Sequence, residues 1–101
     1  MIKKVLIYIK YYWPYKRYKR TALGHYRYYE GIPTNSPENI WDIIHSAYYM
    51  RRHAKHAQSI YFKMTQGLRE DQDLTSIIEE ANKTLRFFDG NNKMKKATGF
   101  N

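Results

Sequence analysis

Ile40, Ile43, Ile44, Ala47, Tyr48, Arg51, Ala54, Ala57, Tyr61 and Met64 recur at intervals of three and four, and no other feature constrains the chain as strongly. Such a stripe fits the 3.6-residue period of a helix and excludes the two-residue alternation of a half-buried strand. No Gly or Pro interrupts it between Pro37 and Gly67. At its head stands Ser36-Pro37-Glu38-Asn39, with Ser36 as N-cap, Pro37 at the first helical position and Glu38 near the positive helix end. The spacing predicts one helix over 37–66, a rod of roughly 45 Å. That is too long for so small a body, so the helix should project or lie along a partner.

Leu74, Ile77, Ile78, Ala81, Leu85 and Phe88 describe a second stripe, capped by Asp71 or Asp73 and closed by Asp89-Gly90. A link of about four residues makes the two helices antiparallel neighbours. They should pack through Ile43, Ile44, Ala47 and Ala54 against Leu74, Ile77, Ala81 and Leu85. The chain is therefore expected to be mainly α: a long antiparallel helical hairpin at 36–90, a basic, polar tail at 91–101 with a lone Phe100, and an extended, Tyr-rich arm at 1–35.

The arm is set apart by charge. Residues 1–30 hold Lys3, Lys4, Lys10, Lys16, Arg17, Lys19, Arg20 and Arg27 against Glu30 alone, and they account for most of the net charge of +9. Ile2, Val5, Leu6, Ile9 and Trp13 share helical spacing, yet Val5, Ile7 and Ile9 also alternate, and Pro14 should end whichever element forms. Gly24, Gly31 and Pro33 then predict an irregular course, with one helical turn near 21–29. With few aliphatic side chains after Ile9, this arm should depend on a partner for order.

Eight of the chain's 11 tyrosines and Trp13 alternate with these cations, as in YYWPYKRYKR. Cations neutralise phosphates and release counterions, while planar rings stack on unpaired bases. Lys10, Tyr11, Tyr12, Trp13, Tyr15, Lys16, Arg17, Lys19, Arg20 and Arg27 are thus candidate RNA contacts. Arg51 and Arg52 join them as part of a basic face on the long helix. The same composition suits a protein interface or an anionic lipid surface.

Other chemistry finds little support. The absence of Cys removes disulfides, thiolate zinc sites and cysteine nucleophiles together. His53 and His56 could share a metal by spacing, but Arg52 and Lys55 flank them and would repel a divalent ion. Glu79 and Glu80 lie side by side rather than across a cleft, and no Gly-rich phosphate loop or G-x-S-x-G turn occurs. No enzyme activity, cofactor or small-molecule substrate is expected. A chain of 101 residues is one domain at most, with a core small enough to want a partner. No apolar run approaches the length of a spanning helix, the longest being Val5 to Ile9.

R-T-A-L-G-H-Y-R at 20–27 resembles the opening pattern of the LYR-motif family of small mitochondrial helical proteins, with His25 where Leu is usual. Phe62-Lys63 is similar to that family's second-helix Phe and cation, and Asp71 or Asp73 with Ile77 and Ile78 to its third helix. The resemblance spans about residues 20–88. It implies a mitochondrial matrix protein, an accessory subunit or assembly factor of a respiratory complex such as complex I, often with an acyl carrier partner.

Residue types with AT-rich codons (Phe, Tyr, Met, Ile, Asn, Lys) far outnumber those with GC-rich codons (Gly, Ala, Arg, Pro), as suits protist mitochondrial, AT-rich nuclear and many viral genomes, and the Tyr excess leans toward the organellar case. Together these features predict a non-enzymatic, RNA-contacting structural subunit of a mitochondrial ribosome, on the matrix side, bound to RNA and neighbouring protein subunits. The LYR-type accessory subunit stands second, and a viral or plasmid DNA-binding protein third. The third lacks a helix-turn-helix, because the first helix of the hairpin is too long for one.

Overall fold

The computed structural model describes residues 2–34 and 36–89. Gly90, expected to close the last helix, and the 91–101 tail with Phe100 lie outside the described residues. Three α-helices follow one another: α1 (Ile2–Gly31), α2 (Ile40–Thr65) and α3 (Gln72–Asp89), with a 3-10 turn at Pro37–Asn39 ahead of α2. No strand occurs among the described residues.

The two predicted helices form within a few residues of their expected bounds. Pro37 starts a tight 3-10 turn rather than the α-helix itself. Ser36 takes the extended backbone of an N-cap, but its side chain makes no capping bond. At the other end of α2, Gln66 and Gly67 adopt left-handed backbone (φ 57° and 78°), and the Gly67 amide donates to the Phe62 carbonyl at 2.7 Å. Gly suits that conformation because it carries no Cβ to clash. The turn brings Asp71 to the head of α3, where its Oδ1 accepts from the amides of Asp73 (3.0 Å) and Leu74 (3.2 Å). That is the N-cap its position predicts.

Residues 1–35 overturn the expected extended arm. Most of them form a single 30-residue helix that runs through Pro14 and on past Gly24. Pro14 removes one backbone donor and costs about 3 kcal/mol in a helix interior. Packing outweighs that cost. Tyr15 and Ala22 are buried, and Tyr11, Tyr12, Tyr18, Leu23, Tyr26 and Tyr29 lie against the same core. The core supplies through aromatic rings what few aliphatic residues supply after Ile9.

Contacting side chains fix the helix directions. Tyr15 meets Tyr61, Tyr18 meets His56 and His25 meets Tyr49 and His53, so α1 and α2 run antiparallel. Gln58 bonds Thr75 and Arg51 bonds Asn82, so α2 and α3 do likewise. Tyr15 reaches Asp71 and Tyr29 reaches Thr84, which makes α1 and α3 parallel. The molecule is an up-down-up bundle, 54 Å in its longest dimension, with α2 in the middle. Ala47, Ala54, Ala57 and Ala81 are fully enclosed at its centre, and Met50 and Leu74 fill the space between them. The long helix therefore does not project: α1 covers one side of it and α3 another. The projecting segment is instead the start of α1. With Tyr15 level with Tyr61 near the end of α2, residues 2–10 extend past the bundle by about 13 Å.

Candidate nucleic-acid interface

Two faces of α1 carry opposite assignments. The inner face presents Tyr15, Ala22 and the partly covered tyrosines to α2 and α3. The outer face follows positions 2, 5, 6, 9, 13, 16, 20, 24 and 27, each three, four or one apart and all exposed. Along that line the chemistry changes once. It is aliphatic from Ile2 to Ile9, reaches Trp13, and is then cationic at Lys16, Arg20 and Arg27, with Arg17 on the flank. Trp13, Pro14, Lys16, Arg17 and Arg20 line a shallow depression at this boundary.

Past Arg17, along the seam of α1 with α2, an open groove of about 500 Å³ is lined by Thr21, Gly24, His25, Tyr28, Asp42, His45, Ser46 and Tyr49. Gly24 leaves the groove wall bare, with open space where a Cβ would stand. Rings are layered along the seam. Trp41 lies 4.8 Å from His45, the His25 ring stacks 5.9 Å from Tyr49, and His25 and His53 are parallel at 5.1 Å. Tyr18 and His56 stack at 4.0 Å further along. Burial lowers the His53 pKa from its ordinary value, and His25, Arg52 and His56 add to the effect. A neutral imidazole is thus favoured between those cationic or ionisable neighbours. Asp42 is the acid of the groove lining.

The candidate contacts separate by location. Lys10, Trp13, Lys16, Arg17, Arg20, Arg27 and Arg52 are exposed. Tyr11 and Tyr12 are half-covered by the core. Arg51 is directed to α3, where it donates to Asn82 at 3.2 Å. Tyr15 and Lys19 are turned inward, and the reason is Asp71.

Asp71 is buried, accepts the Tyr15 hydroxyl, and pairs with Lys19 at 2.8 Å. Lys19 also approaches Asp73 at 3.4 Å. Gln58 braces the same point: its Oε1 accepts the Asp71 amide at 2.9 Å, and its Nε2 donates to the Asp71 carbonyl and to Thr75. Burial opposes the Asp71 charge, but the bonds from Lys19, Tyr15 and the Leu74 amide outweigh it and hold the carboxyl below its usual range. Burial likewise disfavours the Lys19 ammonium, and the Asp71 and Tyr15 oxygens overcome this and raise its pKa. Burial and the Asp71 carboxylate push the Tyr15 phenol up to about 12. These two residues therefore lock α1 to the α2–α3 turn, and neither is free for a phosphate or a base.

The groove was hidden from residue spacing because it needs residues 20–31 to be helical. Only then does His25 come opposite Tyr49 and His53. The three histidines of the long helix are visible in the sequence, but their partner across the seam is not. Among the described residues no group of three or more His, Cys, Asp or Glu is placed to hold a metal ion, and no helix is long and apolar enough to cross a membrane. No family model, curated protein or solved structure matches the chain.

Proposed function

We propose that the chain is a non-enzymatic structural subunit that lies on RNA within a large assembly, with a mitochondrial ribosome as its setting. One observation carries this reading: Lys16, Arg17, Arg20 and Arg27 are all exposed on the outer side of α1, beside a groove walled by Tyr28 and Tyr49. Four cations on about 17 Å of helix match a run of phosphates, and open rings beside them suit unpaired bases. An excess of residue types whose codons are AT-rich supports the organellar setting.

Binding of the full chain to a single-stranded RNA, followed by anisotropy across a salt series, tests it. Replacing Lys16, Arg17, Arg20 and Arg27 by Gln is expected to flatten the salt slope by about 0.7–0.9 for each phosphate that is no longer neutralised. Tyr28→Ala should cost about 1–3 kcal/mol with little change of slope. No binding, or a slope unchanged in the four-site variant, would overturn the proposal. Lys19 stays untouched because its loss would disturb Asp71.

A second reading is favoured by the helical course of 20–31, which carries R-T-A-L-G-H-Y-R on the first of three successive helices as the LYR resemblance implies. On that reading the chain is an accessory subunit of a respiratory complex, and the cations of α1 face carboxylates of a neighbouring subunit.

A further inference from the structure

We infer that residues 2–13 of α1 seat the protein in an anionic membrane surface, through a site separate from the Lys16–Arg27 face. Ile2 (77% exposed), Val5, Leu6, Ile9 (57%) and Trp13 (73%) share one side of the helix, an apolar strip roughly 17 Å long. A strip of this kind is uncommon on a surface that meets only water. Nor is it a piece of unfinished core. The bundle side of α1 is the opposite side, fixed by Tyr15 and Ala22, and turning the strip inward would pull Tyr15 away from Asp71.

Charge selects the occupant. Lys3 and Lys10 border the strip along one side, Lys4 lies on the far side of the same turns, and the first acidic residue of the chain is Glu30. A second copy joined strip to strip would set these cations against one another, because the carboxylates nearest in space, Asp71 and Asp73, sit on the bundle side of α1 and are paired with Lys19. RNA would answer the charge and leave the aliphatic side chains in water. An anionic lipid surface answers both, taking the apolar side into the acyl boundary while lysine stems extend to the phosphates. The aromatic residues agree: Trp13 ends the strip where the aliphatic residues stop, with Tyr12 edge-on to it at 5.3 Å and Tyr8 stacked on Tyr12 at 5.9 Å. Rings with a polar edge settle at headgroup depth.

The test uses the full chain with Trp41→Phe, so that Trp13 is the remaining indole. Phosphatidylcholine vesicles containing phosphatidylglycerol are expected to bind the protein and blue-shift Trp13 emission, and pure phosphatidylcholine vesicles to bind it far less. Leu6→Ser with Ile9→Ser should weaken binding about tenfold or more, because each side chain removes buried apolar area. Lys3→Gln with Lys10→Gln should weaken it by about fivefold per charge. All four positions lie beyond the bundle, so an unchanged thermal melt verifies the fold. No blue shift on anionic vesicles would overturn the inference. So would binding that salt abolishes and Leu6→Ser with Ile9→Ser leaves intact, or sedimentation showing that Leu6 and Ile9 join two copies. RNA binding of the Leu6/Ile9 variant is measured alongside. It is expected to be unchanged, which separates failure here from failure of the RNA proposal.

Discussion

The two halves of α1 are built from the wrong residues for their surroundings, judged by hydropathy alone. The first half holds Ile2, Val5, Leu6 and Ile9 and exposes them; the second holds Tyr15, Tyr18, Tyr26 and Tyr29 and covers them. What separates them is the presence of polar partners. Tyr15 and Tyr29 bring large apolar rings inside and still find hydrogen-bond partners for their hydroxyls, in Asp71 for one and in Glu80 and Thr84 for the other. A tyrosine with a bonded hydroxyl is a good core residue, whereas an isoleucine beyond the end of its neighbours has nothing to pack against.

The sharpest way to break this contrast is to remove the partner. Asp71→Ala strips the acceptor from Tyr15 and the counter-charge from Lys19, and uncaps α3. Urea unfolding should show a loss of about 4 kcal/mol. A loss under about 1 kcal/mol would mean the inner half of α1 is held by its rings alone. Leu74→Ala, at a fully buried position, is expected to cost about 3 kcal/mol by leaving a cavity. That value sets the scale for the aliphatic core.

A smaller effect is expected with pH. The folded His53 pKa lies below its ordinary value of 6.5, so the unfolded chain binds the proton more readily. His53's contribution to stability is then present above about 6.5 and declines as pH falls through that value toward the folded pKa. Urea midpoints measured across this range should fall toward acid, and His53→Gln should reduce the slope. The smallest effect is assigned to the outer half: Ile9→Ala should alter stability by no more than about 0.5 kcal/mol. A larger loss would show that residues 2–13 are tied to the bundle after all.

The stripes of α2 and α3 were legible because each helix carries buried residues at helical spacing from end to end, although α2, covered on two sides, also buries Met50 and Ile60 outside its stripe, and Asp71 carries its cap in the sequence. α1 was illegible because its apolar side changes at Trp13. Before that point the aliphatic residues mark the outer face, and after it Tyr15, Ala22, Tyr26 and Tyr29 mark the inner one. No single period covers both. Pro14 falls at the change and reads locally as a stop, and only the tertiary contacts of Tyr15 and Tyr18 carry the helix across it. The exposed cations of the candidate interface were likewise legible as a group. Composition could not tell that Lys19, one turn from Tyr15, belongs to Asp71.

Pro14 has a mechanical meaning as well. With no amide at position 14, the carbonyl of Lys10 lacks the rung that an α-helix would give it, and this gap falls one residue before the Tyr15–Asp71 lock. The ladder is weakest where the lever meets its anchor. A pull or twist applied to residues 2–13 is absorbed at 10–14 before it reaches the core. The front of α1 can thus yield like a fuse while the bundle behind it stays intact.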